Sequence, residues 1–250
     1  MNKIVAIGDN YPAKDNWFRV EWNLGKRCNF NCSYCGDDLH DAVSSHMPWE
    51  VFTGTIDKIT DKVPDKDIRI SFTGGEPFVH PKFTDMLAYA KQKGIRRCNV
   101  TTNGSPPWKI YERALQYLDY VIVSYHFEKG KEERVMDNIL RIHDYIEHNN
   151  HMQNTQPDAG YTWKEMHVHL MFLPGKLDEC EELMRIMQEK DIKYTIRRIR
   201  PRANADRTAW LRPYEDGMLG KHPHFSEHAK FEAVQPYYSD KEREWFKKNA

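Results

Sequence analysis

Six runs of β-prone residues recur along the chain, and a segment of helical period follows each of the first five. This order constrains the fold more than any other feature. The runs fall at 18–24, 68–73, 97–102, 120–125, 166–173 and 192–199. Helices are predicted over 48–62, 81–93, 108–117, 130–149 and 178–190, with a short charged one at 240–248. Strands separated by helices pair in parallel, because only a parallel neighbour needs so long a crossover. The fold class is therefore α/β. Within 130–149, Val135, Ile139, Ile142 and Ile146 recur at spacings of four and three, the stripe of a helix packed on a sheet. The first helix carries a partial stripe of Trp49, Val51, Phe52, Ile56 and Ile59. The polar stretch 150–162, with Pro157 and Gly160, exceeds an ordinary connection and is expected to be a functional lid or a disordered insertion.

In parallel α/β folds ligands bind at the C-terminal ends of the strands, and the chemistry-bearing residues of this chain gather there. Behind the first strand runs Cys28-Asn29-Phe30-Asn31-Cys32-Ser33-Tyr34-Cys35, a C-x3-C-x2-C spacing that holds three of the five cysteines. Thiolates bunched this closely usually hold a metal. An iron–sulfur cube held by three cysteines leaves one iron open to a ligand from outside the protein. Zinc would take the three cysteines and His40, although structural zinc sites usually recruit two well-separated ligand pairs. A disulfide with one spare thiol runs against the odd cysteine count in a chain without secretory features.

The later strand ends add polar groups. Gly74-Gly75-Glu76-Pro77 closes the second strand, where two glycines let the backbone approach a ligand and Glu76 can accept from an ammonium group. Asn103-Gly104 closes the third. Ser124 ends the fourth and His126 follows, either a proton donor or acceptor or a residue simply hydrogen-bonded at the mouth. His167 and His169 alternate onto one face of the fifth strand, where they flank a cofactor if that face is inward and pack if it is outward. The sixth strand runs into Arg197-Arg198-Ile199-Arg200-Pro201-Arg202. Such a run is either a solvated basic face or a set of arginine forks for a carboxylate or phosphate, with Arg197, Arg198 and Arg200 as the substrate candidates. Cys98 and Cys180 are expected as core thiols.

Four of these stretches together resemble the radical S-adenosylmethionine (SAM) enzymes. Cys28, Cys32, Tyr34 and Cys35 fit that family's C-x3-C-x-aromatic-C pattern, and the stretches 73–77, 101–104 and 121–124 match in order. The resemblance covers roughly residues 19–200. It implies an open (βα)6 partial TIM barrel over 19–200, an N-terminal arm at 1–18 and a short C-terminal extension, 201–250, covering the barrel. It also implies a [4Fe-4S] cluster on Cys28, Cys32 and Cys35. SAM would lie with Tyr34 by its adenine, Gly74, Gly75 and Glu76 at its methionine end, and Asn103 and Ser124 at its ribose. Reductive cleavage of SAM to a 5′-deoxyadenosyl radical would then take a hydrogen from the substrate, with His126 as the candidate catalytic side chain. An electron donor such as flavodoxin or ferredoxin is the implied partner. The substrate is expected to be a peptide or, alternatively, an anionic small molecule such as a nucleotide or sugar phosphate. Peptide-modifying members carry further clusters in a cysteine-rich C-terminal extension, and this chain has no cysteine after Cys180.

Composition narrows the rest. Lys plus Arg and Asp plus Glu both total 37, so no global charge points to nucleic acid or a membrane surface. No apolar run reaches the roughly 18 residues of a membrane span, and residues 1–20 lack a signal-peptide pattern. A cytoplasmic, oxygen-sensitive enzyme is expected, with a non-catalytic zinc- or cluster-binding module as the remote alternative.

Overall fold

In the computed structural model the described residues are 4–8, 16–35, 39–128, 132–199 and 238–249. Their strands form one sheet in sequence order. It comprises β1 (Ile4–Gly8), β2 (Trp17–Asn23), β3 (Asp67–Thr73), β4 (Arg97–Thr102), β5 (Tyr120–His126), β6 (Glu165–Phe172) and β7 (Tyr194–Arg198). β2 to β7 pair in parallel, as the intervening helices demand. β1 pairs antiparallel with β2, so part of the expected arm extends the sheet. The edges β1 and β7 do not meet, and six parallel strands make an open partial barrel.

The helices are α1 (Trp49–Lys62), α2 (Phe83–Gln92), α3 (Trp108–Ala114), α4 (Glu132–Thr155), α5 (Leu177–Glu189) and α6 (Asp240–Asn249). The strands alternate as a sheet covered on one face requires. Ile68, Ile70 and Phe72 of β3, and Met166, Val168, Leu170 and Phe172 of β6, join the helix stripes in one continuous core. Val135, Ile139, Ile142 and Ile146 are all buried there, and so are Phe52, Ile56 and Ile59 of α1, while Val51 stays exposed. Cys98 and Cys180 are core thiols, and burial pushes both up to about 12.

The opposite, inner face is polar across its width. Glu21, Ser71, Asn99, Tyr120 and Glu165 pair in one row through β2 to β6. Below the N-terminal strand ends lies a structural brace. Asp119 accepts from Lys91 Nζ at 2.6 Å and Cys98 N at 2.7 Å, and Lys164 Nζ donates to Leu118 O at 2.8 Å. Burial brings the Lys164 ammonium down to about 8.

One expectation changes. The stretch 150–162 is no open loop: α4 continues to Thr155, and a single 3₁₀ turn, Pro157–Ala159, follows. Asn149 Nδ2 donates to Thr162 O at 2.7 Å, and Asn150 exchanges bonds with Lys164 at 2.9 Å. Because this segment leads into the N-terminal end of β6, it lies opposite the strand ends where the cysteines sit. A lid role is excluded by that placement. Of the C-terminal extension, residues 201–237 lie outside the described residues. The described part packs on the outer face, where Tyr238, Trp245 and Phe246 surround Phe172 at 5.5, 5.3 and 6.0 Å.

Candidate active site

The cysteine loop starts where β2 ends and is fastened to the next strand end by backbone alone. Leu24 N donates to Thr73 O, Gly75 N to Gly25 O at 2.8 Å and Glu76 N to Arg27 O at 2.9 Å. A Cβ on Gly75 would meet Arg27 O at 2.2 Å and Lys26 O at 2.4 Å, so no side chain fits between the two segments. Gly74 has a φ of +132°, and a Cβ there would lie 2.6 Å from Gly25 O. These glycines are thus required by the approach of one motif to another. The loop's far side is closed by Cys28 N bonding to Asp41 O at 2.8 Å, while the Asp41 carboxylate caps residues 43 and 44.

Glu76 is turned inward. Only 2% exposed, it accepts from Phe78 N at 3.1 Å, Thr102 Oγ1 at 2.8 Å and Asn103 N at 2.6 Å. Burial pushes its carboxyl up to about 7 against the pull of those three donors. Asn103 in turn grips the cysteine loop, donating from Nδ2 to Asn29 Oδ1 at 2.9 Å, with Cys28 Sγ 3.9 Å away. Asn29 Nδ2 closes the circuit on Ser105 Oγ at 2.8 Å.

β5 reaches the same loop. His126 Nδ1 pairs with the Tyr34 hydroxyl and lies 3.6 Å from Cys32 Sγ. The Tyr34 ring stacks on the imidazole at 5.8 Å, and Phe30 meets it edge-on at 5.9 Å. Burial holds the Tyr34 hydroxyl protonated, far above the usual phenol range. Just past the strand, Glu128 accepts from Ser33 N at 2.6 Å and Ser33 Oγ at 2.7 Å. Ser124 is buried one residue pair below His126 on this inner face, where it pairs with His169 of β6 and through it with Thr195 of β7.

His167 and His169 therefore face inward. His167 Nε2 bonds to Thr195 Oγ1 at 2.7 Å, and His169 Nε2 lies 3.5 Å from Arg197 Nη2. Burial, with Arg197 adding to it, brings His169 down to about 4. The neighbouring arginines part company: Arg197 lies on the inner face, whereas Arg198 stacks over Phe246 at 5.3 Å on the outer one. Arg200 lies outside the described residues.

The donor set suits an iron–sulfur cluster. None of the three loop cysteines is in a disulfide. Cys28 Sγ accepts from Phe30 N at 3.4 Å, the kind of N–H···S contact that supports a cluster thiolate. Burial raises the Cys28 thiol, and Cys35 adds to the rise, so a cationic centre is what would draw these sulfurs into the thiolate form. Among the described residues no three Cys, His, Asp or Glu side chains are converged as a closed ligand group, so the sulfurs share a loop rather than a cage. His40 bonds to Asn31 through Nε2, 2.9 Å from Oδ1, while its Nδ1 is buried with no hydrogen-bond partner among the described residues.

The sequence marked every strand end of this site but missed Asn29, Ser105 and Glu128. Each bonds to a partner more than seventy positions away, and no local pattern announces such a pairing.

Comparison with known proteins agrees with this geometry. The chain matches the Radical SAM superfamily model over residues 22–187. It is 31% identical over 87 residues to the AdoMet-dependent heme synthase of Nitratidesulfovibrio vulgaris, covering 34% of this chain and 23% of that protein. It is 25% identical over 130 residues to the S-adenosylmethionine-dependent nucleotide dehydratase of Flammeovirga pacifica, covering 50% of this chain and 41% of that one. The match thus spans less than half the length of either relative. Streptococcus suis SuiB bound to S-adenosylmethionine superposes with a TM-score of 0.53 at 12% identity, covering 88% of this chain and 51% of that one, a likeness of fold.

Proposed function

This chain belongs to the radical SAM superfamily and is an enzyme, and from that premise we propose that it cleaves S-adenosylmethionine reductively to abstract hydrogen from a substrate. Cys28, Cys32 and Cys35 would hold a [4Fe-4S] cluster. Bound there, cluster and SAM together supply a 5′-deoxyadenosyl radical once an electron arrives from a donor such as flavodoxin or ferredoxin.

The chain's own residues position and shield. Gly74, Gly75 and Glu76 bound the methionine end of the SAM site, and the buried Glu76 keeps Asn103 and the cysteine loop in fixed relation. Asn103 and Ser124 orient the ribose, and Tyr34 borders the adenine. His126 holds the Tyr34 hydroxyl and covers Cys32, which keeps water off that side of the loop. The observation that carries this reading is that three strand ends, at Gly75, Asn103 and His126, all bond to one three-cysteine loop.

For the substrate, the inward-facing Arg197 and His169 favour an anionic small molecule over a peptide. The nucleotide dehydratase relative is named for a phosphate-bearing substrate, which is consistent with that choice.

Anaerobic cluster reconstitution followed by an assay for 5′-deoxyadenosine, with SAM and dithionite, tests the chemistry. Wild type is expected to turn brown and form 5′-deoxyadenosine, slowly even without substrate, and Cys32→Ala to lose both. A well-folded Cys32→Ala that still cleaves SAM, or a colourless wild type holding one zinc, would overturn it.

A further inference from the structure

Resting on the radical SAM reading, we propose that Arg197, His169 and Thr195 form the seat for an oxyanion, phosphate or carboxylate, of a small-molecule substrate at the β7 edge of the barrel. Arg197 pairs through Met171 with His126, so the three occupy one row of the inner face. Two strand spacings separate its backbone from that of His126, about 10 Å. A small molecule anchored at Arg197 would therefore extend across β6 toward the residues that meet the cysteine loop.

Among the described residues the charges at this corner are positive. Arg197 is exposed, and among the described residues it forms no ion pair; its recorded partner is the His169 ring. The charges that bear on His167 are Arg197 and Lys193, both positive, and those on His169 are Arg197 and His167. Among the described residues no carboxylate is recorded as offsetting them. An arriving oxyanion would take the guanidinium fork and would also favour a proton on His169, turning a second neighbour into a donor. The Thr195 hydroxyl, held by His167 at 2.7 Å, lies one residue pair deeper. Arg198 offers an internal contrast, since it sits on the same strand but is stacked on Phe246 on the far side of the sheet.

The test uses the reconstituted full chain and calorimetric titration with inorganic phosphate, pyrophosphate, acetate and glutarate. Wild type is expected to bind at least one family saturably, phosphates or carboxylates, which also names the source of the oxyanion. Arg197→Gln should weaken that binding roughly ten-fold or more, while Arg198→Gln stays within about two-fold. SAM at saturation should not displace the probe. Absence of saturable binding by any probe, equal loss in both variants, or displacement by SAM would overturn the proposal. The last outcome would assign Arg197 to the SAM carboxylate instead. 5′-Deoxyadenosine formation is read separately on wild type: if it forms while no anion binds, this inference alone falls.

Discussion

Glu76 accepts from three donors while shielded from water, and these two facts push its carboxyl in opposite directions. Burial dominates, lifting it from 4.5 to about 7. The acid form is not stranded, because Thr102 Oγ1 can exchange roles: it bonds both Glu76 and the Tyr111 hydroxyl at 2.9 Å, where either atom can donate. A carboxyl whose folded pKa lies above its unfolded one is protonated more readily in the folded chain. Its contribution to stability is then fully present below about pH 4.5 and is lost as pH rises through about 7. The shift corresponds to a few kcal/mol, at about 1.4 kcal/mol per pH unit. In SAM-free protein, thermal stability relative to Glu76→Gln should decline between pH 5 and 8, since the variant has nothing to titrate there. Parallel stability curves for the two proteins across that range would refute the assignment. The variant should also be less stable at pH 5 by about 1–3 kcal/mol, because its single NH2 group must face either the Phe78 or the Asn103 amide, a donor set against a donor.

At the scale of the element, the cysteine loop is a coil that borrows its order from three strands. One of its ties at the β5 end, that to Glu128, can be cut by itself. In Glu128→Ala the Ser33 amide loses a 2.6 Å charge-assisted bond, and amide exchange in residues 28–35 should quicken roughly ten-fold or more, while β3 exchanges as before. Unchanged exchange in 28–35 would mean that Glu128 does not order the loop. This tie also marks where sequence reading stops. The strands were legible because each carries its own period, and the motifs because glycines and cysteines at strand ends are locally conspicuous. Glu128 and Ser33 are ordinary residues 95 positions apart. Gly75 was legible as a glycine that something must approach closely, but that the neighbour is the backbone of Lys26 and Arg27 follows only from the register of β2 on β3. The end of α4 was misjudged for a related reason. Asn150 opens a polar stretch that reads as loop, yet the side chains of Asn149 and Asn150 satisfy the returning backbone at Thr162 and Lys164, which allows the helix to run on.

For the whole molecule, an open barrel leaves β7 bonded, among the described strands, to β6 alone, and this edge carries Arg197. What steadies it among the described residues is the C-terminal segment. The Tyr238 hydroxyl donates to Phe172 O at 2.8 Å and to Ile199 O at 3.0 Å, bridging the ends of β6 and β7. The Tyr238 ring stacks within 8° of parallel on Phe172, Trp245 lies over the same ring, and Glu242 caps Gly175 N at 2.6 Å. None of this was visible as periodicity, because α6 reads as a charged helix with little apolar surface beyond two aromatics. Trp245→Ala should therefore act on the substrate edge. Removing a half-buried indole from this stack should cost about 2 kcal/mol, or roughly 4–8 °C in Tm for a chain of this size. Amides of β7 should exchange faster while those of β3 and β4 keep their protection. If oxyanion affinity depends on the edge being held, it should fall in parallel with β7 protection, although Trp245 lies on the opposite face of the sheet from Arg197. A variant with loosened β7 and undiminished anion affinity would show that Arg197 needs no such support; one with uniformly faster exchange would make α6 a brace for the whole barrel rather than for its open edge.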